Sequence, residues 1–327
     1  MVASGAQISH PAPDRFDGGV SSSCPVRDEG IAFPEKKLRR SWMQLIIPKI
    51  DWEETTMKLH HLRWPQAREE LGSGKVVVVP IGSVEQHGPH LPVGTDFLVA
   101  DKLGNMISER SEECIVAPTI PFGYAEYHSD FAGTVSTNSS ATLGAYLGEI
   151  TSHYVRHGAR HVLFVNSHGG NMVALDQLCY ELRERGVFAA TVLWWDVISR
   201  LRPDYSPAGH AEWIESSLML AYDESLVDMD IAKAPMTKGL GPEDLELVDP
   251  HTAEFCGVPI HVRLRTHDFS ETGDMPEPNL SPGADTSIPP SRARREIGEE
   301  IFEVVADFIC RLIPVIRSVD PKIFAGS

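Results

Sequence analysis

The stretch that decides the fold is residues 76–96, VVVVPIGSVEQHGPHLPVGTD, where an unbroken apolar run is followed at once by a polar loop. Continuous apolarity, without alternating polar residues, predicts a strand that is buried on both faces, as in a parallel sheet. Later runs share this character: IVAP at 115–118, HVLFVN at 161–166 and VFAATVLWW at 187–195. The sequence therefore predicts a mainly parallel sheet.

Helical patterns alternate with these runs. Apolar residues recur at helical spacing in the segments 142–157, 172–185 and 291–316. The first two segments stop next to Gly158 and Gly186, and glycine commonly follows the last turn of a helix. Strands that alternate with such helices predict a layered α/β domain.

The composition of the chain is acidic. Its 327 residues include 29 Lys and Arg against 46 Asp and Glu, a formal net charge of −17. This balance disfavours binding to nucleic acid or to anionic lipid, because both need clustered Lys and Arg. The five cysteines form no CxxC pair and predict no disulfide framework. Since the sequence shows neither a membrane-spanning apolar run nor a secretory signal, we expect a cytoplasmic enzyme.

Residues 1–56 differ from the remainder of the chain. They mix Gly, Ser and Pro with the charged stretch EKKLRR at 35–40 and show no sustained apolar period. Such a composition is typical of a poorly ordered extension. We therefore expect an N-terminal extension over residues 1–56 and a single catalytic domain over residues 57–327.

Chemically active side chains follow the predicted strands, and open parallel sheets bind ligands outside the carboxyl ends of their strands. The loop after the first strand carries carboxylates and imidazoles within twelve residues: Glu85, His87, His90 and Asp96. His168 follows the strand at 161–166 in the segment NSHGGN, and GHAEWIESS supplies His210 and Glu215. We expect one crevice to collect these side chains.

The number and type of these groups favour a metal centre. The candidate ligands are three carboxylates and two imidazoles: Glu85, His87, Asp96, His168 and Glu215. They exceed the usual ligand set of one catalytic zinc ion and suit two cations that share a bridging carboxylate. Oxygen and imidazole ligands without thiolate favour Zn²⁺, Mn²⁺ or Fe²⁺ over Ca²⁺. The sequence therefore predicts a centre for two divalent metal ions.

At these residues the chain resembles the creatininase (creatinine amidohydrolase) family. The most specific motif is GSVEQHGPHLPVGTD at 82–96, and it is supported by GYAEYHSDFAGTVS, NSHGGN and HAEWIESSLML. The resemblance implies a three-layer α/β/α sandwich with two metals, Glu85 and His168 on one, His87 on the other and Asp96 bridging. It also implies that His210 transfers protons and that the protein is a homo-oligomer, commonly a hexamer.

The chain departs from creatininase at two places. Creatininase has a glutamate two positions after the strand-end histidine, where this chain has Gly170, and we infer that Glu215 completes the second metal instead. A Trp-Asp pair of creatininase is replaced by residues 206–209, SPAG. Trp195 matches an aromatic residue of the family's substrate pocket, and Tyr124 and His128 of the GYAEYH loop are further candidates for binding the substrate.

The resemblance implies hydrolysis of a C–N bond in a small cyclic amide or a formamide. The alternatives are relatives that use the same metal site on a cyclic ketone such as a keto-inositol, on a formamidopyrimidine nucleotide, or on a peptide. No Arg or Lys lies inside the three strand-end motifs, which disfavours a phosphorylated substrate. A binding protein that has lost the reaction is a further alternative, but it is disfavoured because every proposed ligand and His210 are present.

Overall fold

The computed structural model describes residues 57–205, 209–232, 246–249, 252–273 and 289–324. The predicted extension over residues 1–56 lies outside them and stays a prediction, as does any role for the loop at 206–208. In the described parts, no helix is both long and apolar enough to cross a membrane.

The centre of the fold is a four-stranded sheet whose strands all run parallel. It consists of β1 (Val76–Ile81), β2 (Cys114–Val116), β3 (His161–Asn166) and β4 (Phe188–Leu193), in the order β2-β1-β3-β4. The sequence predicts β1 and β3 to the residue. The predicted fourth strand is too long by two residues at its end, because the chain turns into a helix at Trp194.

Helices cover both faces of this sheet. They are α1 (Trp64–Gly72), α2 (Thr95–Arg110), α3 (Ser140–Arg156), α4 (Met172–Glu184), α5 (Trp194–Leu201), α6 (Trp213–Asp223), α7 (Thr266–Phe269) and α8 (Arg295–Arg317). The buried side chains of α1, α3 and α4 pack on one face, and those of α2, α5, α6 and α8 pack on the other. The predicted three-layer α/β/α arrangement is confirmed.

The alternation of side chains along β1 explains why an uninterrupted apolar run is needed. Val76 and Val78 belong to the core on the α8 side, whereas Val77, Val79 and Ile81 belong to the core on the α3 side. Successive side chains of a strand point to opposite faces, so a strand between two helical layers has no solvent-facing position for a polar residue. All six residues of β1 are buried.

The sequence does not predict helices α1, α5, α6 and α7, nor two further features. One is α2, which follows the polar loop directly and places Asp96 in its first turn. The other is a separate antiparallel sheet in which β5 (Glu246–Asp249), β6 (Thr252–Phe255) and β7 (Val258–His261) pair in the order β5-β6-β7. The chain that follows β7 returns to the carboxyl end of β1 and contributes to the site described below.

Candidate metal centre

The loop after β1 folds tightly because two elements meet there at close range. A Cβ atom at Gly82 would collide with the backbone of Asp96, so only glycine allows α2 to begin this near the end of β1. Within the loop, the Glu85 N–H donates to the Val93 carbonyl at 2.7 Å, and the Phe97 N–H donates to the Ser83 carbonyl at 3.3 Å. The loop therefore returns on itself and brings Asp96 back towards Glu85.

Asparagine side chains hold the neighbouring loop, which carries His168. The Asn166 amide donates to the His168 carbonyl at 2.7 Å, and its Oδ1 accepts from the His168 N–H at 3.2 Å. The Asn171 amide donates to the Gly82 carbonyl at 3.1 Å and to Asn166 Oδ1 at 3.0 Å. These bonds join the loops after β1 and β3, and thereby fix His168 relative to Glu85 and Asp96.

Asp96 lies at the middle of the cluster, with its two oxygens facing different imidazoles. Oδ1 lies 3.1 Å from His87 Nε2, and Oδ2 lies 3.0 Å from His168 Nδ1. His168 Nδ1 is also 3.1 Å from Glu85 Oε1, and His87 Nε2 is 3.6 Å from Glu215 Oε2. The carboxylate of Asp96 therefore lies between His168 with Glu85 on one side and His87 with Glu215 on the other, which is the position that a bridging ligand requires.

The donor atoms of the described residues fall into three overlapping groups. Those of Glu85, Asp96 and His168 lie within 4.8 Å of one another, as do those of His87, His210 and Glu215 and those of Glu85, His128 and His210. The structure thus brings the five predicted ligands together, and all of them are buried. Their role as metal ligands stays a prediction, which the charge and hydrogen bonding of the cluster can test.

The electrostatics of the cluster call for additional positive charge. Burial opposes a charged imidazole, yet Asp96 and Glu215 outweigh it and raise the pKa of His87 to about 10. Burial raises the pKa of Glu215 to about 7 and also raises that of Glu85. Among the described residues, neither carboxylate oxygen of Glu85 has a hydrogen-bond partner of normal geometry, nor has Asp96 Oδ2. Since buried charges need compensation and these oxygens accept no well-aligned hydrogen bond there, the donor set fits divalent cations.

Gly170 has no side chain that could bind a metal, and the structure leaves no room for one. A Cβ atom at Gly170 would collide with the Tyr124 carbonyl and with the ring of His168. Any side chain there would displace a group of the cluster. Glu215 instead enters from the first turn of α6, where its Oε2 accepts a 2.7 Å hydrogen bond from the Ala211 N–H. Ala211 has a φ of 59°, a strained conformation for alanine that turns the chain between His210 and Glu215.

His210 lies at the more open side of the cluster, and its contacts favour one tautomer. Its Nε2 lies 2.8 Å from the backbone carbonyl of Gln86 and 2.9 Å from the side-chain amide nitrogen of the same residue. We assign the ring proton to Nε2, because the carbonyl can only accept a hydrogen bond and the Gln86 amide donates to the Gly273 carbonyl. Nδ1 is then the acceptor, 3.9 Å from Glu85 Oε1. Burial and the neighbouring His87 and His128 hold the pKa of His210 well below its usual value. The ring is therefore neutral at neutral pH, with a free lone pair that faces the cluster.

His128 lies inside the cluster, next to Glu85. Its side chain is completely buried, and Nε2 lies 3.4 Å from Glu85 Oε1. Nδ1 lies 2.7 Å from Thr266 Oγ1 and 2.9 Å from Gln86 Nε2. The GYAEYH loop turns inward at a 3₁₀ turn, Glu126–His128, which lets His128 contact the Glu85 carboxylate; its predicted role in binding the substrate stays a prediction.

Replacing His128 with alanine is expected to weaken metal binding by about 10- to 100-fold, the usual effect of losing a group that orients a ligand. Glu85 would lose the imidazole that contacts Oε1. Calorimetric titration of the metal-free protein with Zn²⁺ measures the change. His153→Ala, which removes an exposed imidazole of α3, is the control and should bind metal as the wild type does. Unchanged affinity in His128→Ala would contradict a role of His128 in orienting Glu85.

Sequence reasoning missed several side chains around the cluster. Gln86 lies between two predicted ligands along the chain, and its amide donates to the Gly273 carbonyl at 2.9 Å while its Oε1 accepts from the Gly88 N–H. The sequence does point to Gln86, because it stands between two predicted ligands in the motif EQH at 85–87. Thr266 carries no such signal, because it reaches His128 from a position 138 residues further along the chain. Tyr127 was also missed, although its hydroxyl lies 3.5 Å from His168 Nε2.

A cavity of about 530 Å³ lies against the outer side of His168. It is lined by Tyr124, Glu126, Tyr127, Gly169, Gly170, Val173, Arg263, Leu264 and Arg265. Tyr124 is therefore placed as a pocket residue would be, whereas Trp195 is not part of this lining and packs against Trp194 and the α8-side core. Both arginines of the lining come from the unpredicted segment after β7 and lie outside the three strand-end motifs.

Comparison with known proteins places this site in a family. The family model described as "Creatininase: Creatinine amidohydrolase" matches residues 60–313. A "Creatinine amidohydrolase" of Pseudomonas putida is 31% identical over 215 residues, which are 58% of this chain and 80% of that protein. A "Mycofactocin precursor peptide peptidase" of Mycobacterium tuberculosis is 37% identical over 125 residues, 34% of this chain and 47% of that protein. The chain thus spans about half the length of that relative.

Solved structures of creatininase show the same fold. A zinc–zinc form of a mutant creatininase and a manganese form each superpose with a TM-score of 0.57 at 25% identity and cover 81% of this chain. The superposed regions include 99% and 100% of the respective creatininase chains. The family match extends over most of the chain and includes all residues of the cluster. The chain belongs to the creatininase family.

Proposed function

We propose that this protein is a metal-dependent hydrolase that cleaves a C–N bond in a small cyclic amide or a formamide. The observation that carries the proposal is the position of Asp96 between the imidazoles of His87 and His168, with Nδ1 of the neutral His210 ring facing the same cluster. The family model and the Pseudomonas relative, both described as creatinine amidohydrolases, support it.

The residues that would hold the metals divide around Asp96. Glu85 and His168 would bind one cation, His87 and Glu215 the other, and Asp96 both. Two divalent cations supply Lewis acidity to the substrate carbonyl and make water a stronger nucleophile near neutral pH. The oxygen and imidazole donors suit Zn²⁺, Mn²⁺ or Fe²⁺, and the zinc–zinc and manganese forms of creatininase support the first two.

His210 would carry the proton that amide hydrolysis has to move. Its Nδ1 accepts a proton released on the cluster side and returns it to the leaving nitrogen, while Nε2 stays bound to the Gln86 carbonyl. The low pKa of the buried ring keeps Nδ1 unprotonated before the reaction. Tyr127, whose pKa burial raises well above its usual value, keeps its hydroxyl proton and can donate a hydrogen bond beside His168.

A peptide bond is a second candidate for the C–N bond that is cleaved. The 37% identity over 125 residues with a precursor peptide peptidase favours it. The cyclic-ketone and formamidopyrimidine alternatives stay predictions, since no contact of the described residues favours either substrate over an amide.

Hydrolysis assays with the metal-reconstituted protein test the proposal. Creatinine, small lactams, formamides, short peptides and keto-inositols would be incubated with protein loaded with Zn²⁺ or Mn²⁺, and the products identified by mass spectrometry. We expect at least one amide to gain one water, at a rate that chelation of the metal abolishes. Hydrolysis of a ketone alone, or no hydrolysis of any amide by fully loaded protein, would contradict the proposed function.

A further inference from the structure

The cavity beside His168 has a charge that differs from that of the chain as a whole. Glu126, Arg263 and Arg265 are the charged residues of its lining, and Asp130 pairs with Arg265 beside it. The two arginines and the two carboxylates balance, whereas the whole chain carries −17. An anion is therefore repelled less at this cavity than a net charge of −17 would suggest.

The two arginines of the cavity have different surroundings. Arg265 is held by acidic partners, with Nη1 2.7 Å from Asp130 Oδ1 and Nη2 3.4 Å from Glu126 Oε1. Arg263 donates through Nη1 to its neighbouring Val262 carbonyl at 3.0 Å. Among the residues that the structure describes, no carboxylate lies within ion-pair distance of Arg263. Arg265 thus has a structural partner on each side, and Arg263 offers its remaining donors to a ligand.

The cavity lies next to the metal cluster. Tyr127 lines the cavity, and its hydroxyl lies 3.5 Å from His168 Nε2. The other nitrogen of the same ring, Nδ1, is 3.1 Å from Glu85 and 3.0 Å from Asp96. The ring of His168, which is itself a proposed ligand, therefore lies between Tyr127 and the carboxylates of Glu85 and Asp96. A volume of about 530 Å³ falls within the usual range for small-molecule sites.

The geometry points to Arg263 as the binding residue for an oxyanion carried by the substrate. A guanidinium matches the planar, bidentate acceptor pattern of a carboxylate and also binds phosphate oxygens. The cavity selects substrates that bear a carboxylate or a phosphate monoester at a distance from the bond cleaved at the cluster. This assignment rests on the proposed hydrolase function for its catalytic meaning, but anion binding can be measured without turnover.

Calorimetric titration of the metal-loaded protein with inorganic phosphate, and separately with acetate, tests the assignment. We expect Arg263→Gln to weaken binding of the preferred anion by about tenfold, the low end for a hydrogen bond to a charged group at an exposed site. Arg263→Lys should lose less, because it keeps the charge. Arg311→Gln, which removes an exposed arginine of α8 paired with Asp307, should bind anions as the wild type does. All variants carry the same metals, so anion binding to the metals cancels in the comparison.

The outcomes separate the two proposals. Equal affinity in wild type and Arg263→Gln, or no binding of either probe by the wild type, would overturn the assignment, even if an amide is hydrolysed. Binding that depends on Arg263 would support it, even if no amide is hydrolysed and the proposed function fails. The probe that binds more tightly tells whether a phosphate monoester or a carboxylate is the group recognised. Thermal unfolding of each variant checks that the fold is intact.

Discussion

Replacing Asp96 with alanine is expected to remove both divalent cations and to lower turnover by at least about a thousandfold. Metal ions contribute several kcal/mol to transition-state stabilisation, and each 1.4 kcal/mol corresponds to about a factor of ten in rate. Asp96 is the one residue whose two oxygens face both imidazoles of the cluster, at 3.1 Å and 3.0 Å. Its loss therefore removes a ligand from each metal at once.

Metal content by mass spectrometry and the turnover number of the same samples measure this effect. Glu109→Ala is the matched control, because it removes an exposed carboxylate from the same helix α2. It should retain both the metals and the activity. Asp96→Asn keeps the shape of the side chain and is expected to lose activity as well, because a neutral amide is a poor bridging ligand. An Asp96→Ala protein with normal metal content would show that Asp96 does not bridge.

Replacing His210 with alanine is expected to lower kcat by about 10²- to 10⁴-fold while leaving the metals bound. Nδ1 of His210 faces the cluster at 3.9 Å from Glu85 Oε1, and the ring is held by the Gln86 carbonyl rather than by a predicted ligand. The substitution therefore removes the proposed proton acceptor and none of the five predicted ligands, Glu85, His87, Asp96, His168 and Glu215.

The two readouts of His210→Ala distinguish proton transfer from metal binding. Loss of activity with unchanged metal content supports proton transfer. Loss of a metal ion would assign His210 to the group that also contains His87 and Glu215, and would contradict the role proposed here. His267→Ala, which removes an exposed imidazole that packs on Phe131, should keep both the metals and the rate.

The sequence predicted the central strands most accurately because their pattern has a single explanation. In β1 and β3 every residue is buried, and every position is apolar except His161 and Asn166 at the two ends of β3, so the runs mark the strands. The position of Asp96 could not be predicted in the same way. The prolines and glycines of its loop suggested continued irregular structure, yet α2 begins at Thr95, directly after the last of these glycines, because Gly82 permits the close approach.

The predicted ligand set followed from the motifs, whereas the surroundings of the ligands depend on distant contacts. The surroundings of His128 were not predicted, since nothing nearby along the chain shows that Thr266 and Gln86 enclose it. Arg263 was missed for the same reason, because the antiparallel sheet returns the chain to the site only in three dimensions. Contacts across more than a hundred residues leave no periodic signal in one sequence.

The number of metal ions bound by the wild-type protein tests most directly whether the cluster is a dinuclear centre bridged by Asp96. Metal-free protein would be titrated with Zn²⁺ and, in parallel, with Mn²⁺, and the bound metal counted per chain after removal of the free ions. The arrangement of donors around Asp96 predicts two ions per chain, both lost in Asp96→Ala. One ion per chain, or none with either metal, would contradict it.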